Sequence, residues 1–391
     1  MHSKVTALRT AYALLLSGIF ILAAVLFSAC GREERNTGTL EEWMGISVEE
    51  TVRNEYASQF RIEKLSGGYR RISTDNEEIL IVPEGKKVPE GLPGRVTVLK
   101  QPVEKIYMAS SSAMSFFQEL GRLDRIAYTS TKASDWGDKT VRSLVEDDTI
   151  TYVGKYNAPD YEWLITEGTD LAVENTMILH DPATREKLEQ LGIPVIMERS
   201  SYEEHPMGRM EWVKVYGCIL GMEDEAEKWF DDKDIKFREL NSAEKGEDVK
   251  VAYFSFSPNG YINIQAPSGY FAELIRAAGG MYAFTAEDLN ADEDDSTTMH
   301  ISMEQFYKLA KDADVLIYNA AIYGEIESIK KMTEEYPLMG DFKAVKDNRV
   351  YCTSGDIFQK PTAVAEIVGE LKSLYRDNDE GMLFFKRVED K

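Results

Sequence analysis

Side chains able to do chemistry are thinly spread along this chain, and their spacing forms no catalytic constellation. Histidine occurs four times, at His2, His180, His205 and His300, with no HExxH pair, so a Zn²⁺ or Mn²⁺ cage built of several histidines is not expected. GxSxG, a Walker glycine loop and GxGxxG behind a strand are all missing, and Ser, His and Asp fall at no informative spacing. Cys30, Cys218 and Cys352 lie far apart with no CxxC; the last two read as buried structural thiols or as a disulfide with each other. Tyr156, Tyr253, Tyr261 and Tyr270 fall at strand ends and loops, where a ring packs a core or stacks on a flat ligand. Gln359, in SGDIFQKPTA, hydrogen-bonds a ligand or caps the last helix. In SSYEEHPMGRMEW (200–212) Pro206 starts a helix on which Arg209 and Glu211 pair with neighbours.

Two acids are placed alike. Glu162 in YEWLITEGTDLAVEN (161–175) and Glu304 in MEQFYKLAKDADVLIYN (303–319) each stand at a helix start that leads through Asp to an apolar strand closing on Asn. An acid there complements the helix dipole by roughly 0.3–1 kcal/mol. A matched pair also offers a two-point docking surface to a cationic partner.

The elements that must position these groups follow from composition and periodicity. A chain of 391 residues, 43% hydrophobic and 10% aromatic, can bury real cores and is long enough for two or three domains. The formal charge of −23 speaks against nucleic acid and against a surface that lies on anionic lipid; its plain effect is solubility. Lys4 and Arg9 precede an uncharged run from Thr10 to Ala29 that stops at Cys30. Residues 1–29 read as an export signal peptide, with an uncleaved membrane anchor as the alternative. The sequence FSAC resembles a bacterial lipobox, with Phe27 where Leu is usual and Leu26 one residue earlier. The resemblance implies that Cys30 is lipidated and that the remainder is tethered outside the membrane.

Residues 30–54 read as a polar tether and 55–103 as a β-rich extension, with a hairpin around Ser66-Gly67-Gly68. From 104 to 206 strands and helices alternate, the pattern of a parallel sheet covered by helices. Residues 207–245 are predicted as a long bridging helix, broken or bent near Gly217 and Gly221, and 246–391 as a second α/β block. The fold class is therefore α/β: two Rossmann-like lobes with parallel sheets joined by a long helix, a ligand cleft between them, and a small β-rich N-terminal extension.

VEKIYMASSSAMSFFQELGRLDRIAYTS, YEWLITEGTDLAVEN, LGIPVIMERSSYEEHPMGRMEWVKVYG, GYFAELIRAAGG and RVYCTSGDIFQKPTAVAEIV, in this order over about residues 90–380, resemble the substrate-binding proteins of ABC importers for iron–siderophore complexes, haem and cobalamin. The resemblance implies little hinge closure, a ligand between the lobes, and one acid per lobe docking on arginines of the permease, here Glu162 and Glu304. It implies no intrinsic cofactor: the ligand is an iron chelate, a ferric siderophore first, with haem or cobalamin as alternatives. Lys132, Tyr156, Arg209, Tyr270 and Gln359 are the expected ligand-binding residues. No direct metal ligand is expected, because a siderophore supplies its own hard oxygen donors. A monomer is expected. An extracytoplasmic enzyme on the same fold and a non-transport surface protein that senses a ligand are the competing readings.

Overall fold

The structure, a computed structural model, describes residues 46–75, 77–242, 249–290 and 298–390. The expected signal peptide, Cys30 and most of the tether lie outside the described residues. Among those described, no helix is long and apolar enough to cross a membrane.

The extension is one five-stranded sheet in the order β1 (Val48–Thr51), β2 (Arg61–Leu65), β3 (Arg70–Ser73), β4 (Glu78–Val82) and β5 (Val96–Lys100). Its first strand already begins within the stretch expected as tether. Pairing is antiparallel up to β4, and β5 runs parallel to β4. The β2–β3 turn needs its glycines: Gly67 and Gly68 have φ of 79° and 87°, the left-handed region. Ile62, Ile72, Ile79, Ile81 and Leu99 face inward and share one core with the bridge and both lobes.

The first lobe contains β6 (Ile106–Met108), β7 (Ile126–Thr129), β8 (Thr151–Tyr152), a short hairpin of β9 (Gly154–Lys155) and β10 (Ala158–Pro159), then β11 (Leu171–Glu174) and β12 (Val195–Met197). The main sheet has the order β12-β11-β6-β7-β8 and is parallel throughout. Helices α1 (Met114–Glu119), α2 (Lys139–Glu146), α3 (Tyr161–Thr166) and α4 (Pro182–Gln190) supply the crossovers.

The bridge is three helices rather than one: α5 (Pro206–Glu211), α6 (Val213–Leu220) and α7 (Glu223–Ser242). Gly221 ends α6 in the left-handed conformation, φ 68°, which is the break. Gly217 has a different reason to lack a side chain: a Cβ there would stand 2.4 Å from the Ala226 Cβ, so it lets α7 fold back closely on α6.

The second lobe holds β13 (Lys250–Phe256), β14 (Ile262–Gln265), α8 (Tyr270–Ala277), β15 (Met281–Tyr282), β16 (Thr298–Ile301), α9 (Met303–Ala310), β17 (Val315–Tyr318), β18 (Val350–Thr353), α10 (Val364–Tyr375) and β19 (Phe385–Arg387). The strand order is β16-β14-β13-β17-β18-β19, with β15 also on β13. This sheet is mixed rather than parallel: β13, β15, β17 and β18 run together, whereas β14, β16 and β19 are antiparallel to their neighbours. The cause is local, since a tight turn at Ser257–Tyr261 returns the chain directly as β14.

The sequence echo between lobes has a shared structural basis. Asp170 accepts hydrogen bonds from the Glu104 and Lys105 amides at 2.8 and 2.9 Å, and Asp314 accepts one from the Lys250 amide at 2.8 Å. In each lobe this Asp clamps the start of the adjoining central strand. Asn175 and Asn319 close the following strands, each accepting a bond from an amide two residues on.

Candidate functional site

A cleft of about 440 Å³ opens between the lobes. From the first lobe it is lined by Ser110–Ser112 behind β6, Asn175–Met177 behind β11, and Glu198 with Ser200–Tyr202 behind β12. All three segments leave the C-terminal ends of parallel strands, and the strand order reverses between β6 and β11, where connections leaving in opposite directions open a crevice for a ligand. Arg209 of α5 completes that side, and Gln265, Phe358 and Pro361 face it from the second lobe.

Glu198 sits on the cleft wall, 2% exposed. Its carboxylate accepts hydrogen bonds from the Ser112 hydroxyl at 3.0 Å, the Ser110 hydroxyl at 3.4 Å and the Ser200 amide at 2.7 Å. Asn175 is held by donating to the Ala109 carbonyl and accepting from the Met177 amide. The sequence reading passed over Glu198 and the serines. The one available signal was three serines directly after an apolar strand, a place where hydroxyls cannot be part of a helix face.

Of the expected ligand-binding residues, Arg209 and Tyr270 come together. The guanidinium carbon lies 3.7 Å from the centre of the Tyr270 ring, a stacking contact worth about 0.5–2 kcal/mol. Arg209 Nη2 donates to the Ser201 carbonyl at 2.9 Å, while its buried Nε has no hydrogen-bond partner among the described residues. Burial lowers the Arg209 pKa from its ordinary value, with Tyr270, Glu198 and Glu203 acting against the fall. The side chain stays charged.

Of the five, only Arg209 is among the described residues that line the cleft; Tyr270 is buried behind it. Gln359 spans the lobes: its Oε1 accepts from the Gly137 amide at 3.1 Å and its Nε2 donates to the Asp135 carbonyl at 2.8 Å. The approach is so close that a Cβ on Gly137 would collide with the Asp356 side chain. Tyr156, in the β9–β10 turn, is half-buried against a small apolar cluster that includes Tyr107, Tyr128 and Val153. Lys132 is exposed, ahead of a short turn of helix at Ala133–Asp135. Tyr253 is core, its ring 3.8 Å from that of Phe271, and Tyr261 is exposed.

Glu162 and Glu304 are both exposed and both occupy the second position of their helices, α3 and α9. Asp160 and Ser302 cap those helices by accepting from Trp163 and Gln305. The Glu304 carboxyl is held below its usual range, first by its own backbone amide. Trp163 and Ile165, beside Glu162, leave 44% and 49% of their surface in solvent.

His205 is the N-cap of α5, its Nδ1 accepting from the Met207 amide at 3.1 Å with the ring stacked on Tyr56. Cys218 and Cys352 are buried and unpaired. Among the described residues, no group of three or more His, Cys, Asp or Glu side chains is placed to hold a metal.

A family model described as periplasmic binding protein matches residues 106–356. An uncharacterized lipoprotein of Methanocaldococcus jannaschii is 25% identical over 299 residues, 74% of this chain and 69% of that protein. The fold is similar to that of the periplasmic haem binding protein HutB of Vibrio cholerae, with a TM-score of 0.56 and 14% identity over 69% of this chain and 98% of the other. It is also similar to that of the periplasmic catecholate-siderophore binding protein VctP of Vibrio cholerae, with a TM-score of 0.55 and 15% identity over 70% and 95%. At such identities the likeness is one of fold.

Proposed function

Because this chain belongs to the periplasmic binding protein family, a family that binds substrates rather than transforming them, we propose that it captures a metal chelate, a ferric siderophore first, and delivers it to an ABC permease. The observation that carries this is the interlobe cleft, a ready-made space walled by hydroxyls, one guanidinium and apolar side chains from both lobes. A haem binder and a catecholate-siderophore binder of the same fold make iron complexes the natural first class to test.

Delivery rests on Glu162 and Glu304, exposed at matched helix starts on the two lobes and able to meet two cations of a permease. The lipoprotein name of a relative supports attachment through Cys30, which keeps the protein at the membrane face where the permease opens. The test is uptake of siderophore-bound ⁵⁵Fe by cells carrying the cognate permease. A Glu162→Ala/Glu304→Ala double variant is expected to lose about tenfold or more in uptake at unchanged calorimetric affinity for the chelate. Cys30→Ala is expected to release the protein from the membrane. Unchanged uptake by the double variant would remove the docking role.

A further inference from the structure

On the reading of the cleft as a chelate-capture site, we infer that its ligand carries no net charge or a single negative charge, and that polyanionic chelates are refused. The described lining contains one cation, Arg209, and one carboxylate, Glu198, so the wall is neutral as a whole. The Glu198 charge is held in place by two hydroxyls and an amide rather than by a cation, so its negative field remains at the wall. Arg209 has one face against Tyr270 and one nitrogen on the Ser201 carbonyl, which leaves it capacity for one anionic or carbonyl group.

No second cation stands among the described lining residues. Arg199 is engaged by Asp75, by Gln59 and by the face of the Tyr202 ring. Lys360, behind Phe358, is paired with Asp356 at 3.1 Å. A trianionic complex would therefore leave water for a site with one counter-charge and one like charge, and burying unpaired charge is strongly unfavourable. The chain's own −23 adds repulsion during approach. An uncharged chelate meets none of these penalties. It gains the hydroxyls of Ser111 and Thr176, the Gln265 amide, and apolar contact with Met177, Tyr202 and Phe358.

The experiment is calorimetric titration of the full-length protein in lipid nanodiscs with three probes: an uncharged ferric trihydroxamate, cobalamin, and the trianionic ferric tris-catecholate. At least one of the first two is expected to bind about 100-fold or more tightly than the tris-catecholate. Glu198→Gln, which keeps the size and removes the charge, is expected to narrow that gap by roughly tenfold. Equal or tighter binding of the tris-catecholate would overturn the charge inference and leave chelate capture standing. Failure of all three to bind would overturn both.

Discussion

Glu174, at the end of β11, is fully buried, and neither carboxylate oxygen has a hydrogen-bond partner among the described residues. Burial pushes its pKa up to about 8, with only Arg185 acting the other way. The unfolded chain releases this proton near the ordinary value of 4.5, so between about 4.5 and 8 the folded state holds a proton that the unfolded state has lost. Stability from this group is complete below that window and is lost as pH rises through it, up to a few kcal/mol. His205 acts in the opposite sense, because burial lowers its pKa, so acid below its ordinary 6.5 destabilises the fold and removes the ring acceptor from the Met207 amide. The contribution of Glu174 is isolated by Glu174→Gln. The melting temperature of the wild type, measured by calorimetry at pH 5.5, 7 and 8.5, should fall relative to the variant as pH rises. Parallel curves would show that Glu174 ionises normally.

At the scale of elements, the extension is held to the bridge by two buried acids. Glu211 of α5 accepts from the backbone amides of Glu55, Tyr56 and Ala57, all at 2.8 Å, and pairs with Lys214. Glu203 accepts from the amides of Ser58 and Gln59 and from the Trp212 indole. Three residues ahead of β2 are thus tied to the helix that carries Arg209 and the next two to the turn that leads into it, and Phe60 packs edge-on against Trp212. The extension, for which the sequence suggested no role, braces one wall of the cleft. Glu211→Ala strips three amides and leaves Lys214 buried beside them, so urea unfolding should show a loss of about 3–5 kcal/mol. A loss below about 1 kcal/mol would mean that solvent satisfies this loop. The strands of the extension could be found from alternating apolar residues and turn glycines. Its brace could not, since the bonds run between residues some 150 positions apart.

For the whole molecule, the lobes meet through the bridge and again through Gln359, whose partner Gly137 lies 222 positions away. Sequence left Gln359 open as ligand contact or cap, and the structure uses it as an interlobe clasp. Gln359→Ala removes two neutral hydrogen bonds, a net loss of about 1–3 kcal/mol. The expected result is a larger radius of gyration of the unliganded chain by small-angle scattering, with a secondary-structure spectrum like that of the wild type. An unchanged radius would show that the bridge alone sets the lobe spacing.

The sequence by itself determined the features that rest on local rules. Runs of apolar residues separated by capped helices dictate α/β lobes, and the glycines at 217 and 221 dictate a break in the bridge. Tertiary structure alone decided what depends on distant chain segments meeting. It decided that the second sheet is mixed, because β14 and β16 choose antiparallel neighbours. It set Arg209 on Tyr270 and left Lys132 and Tyr156 outside the cleft. It also made a wall of Glu198 and three serines, because a side chain's surroundings are set by which strands end beside it.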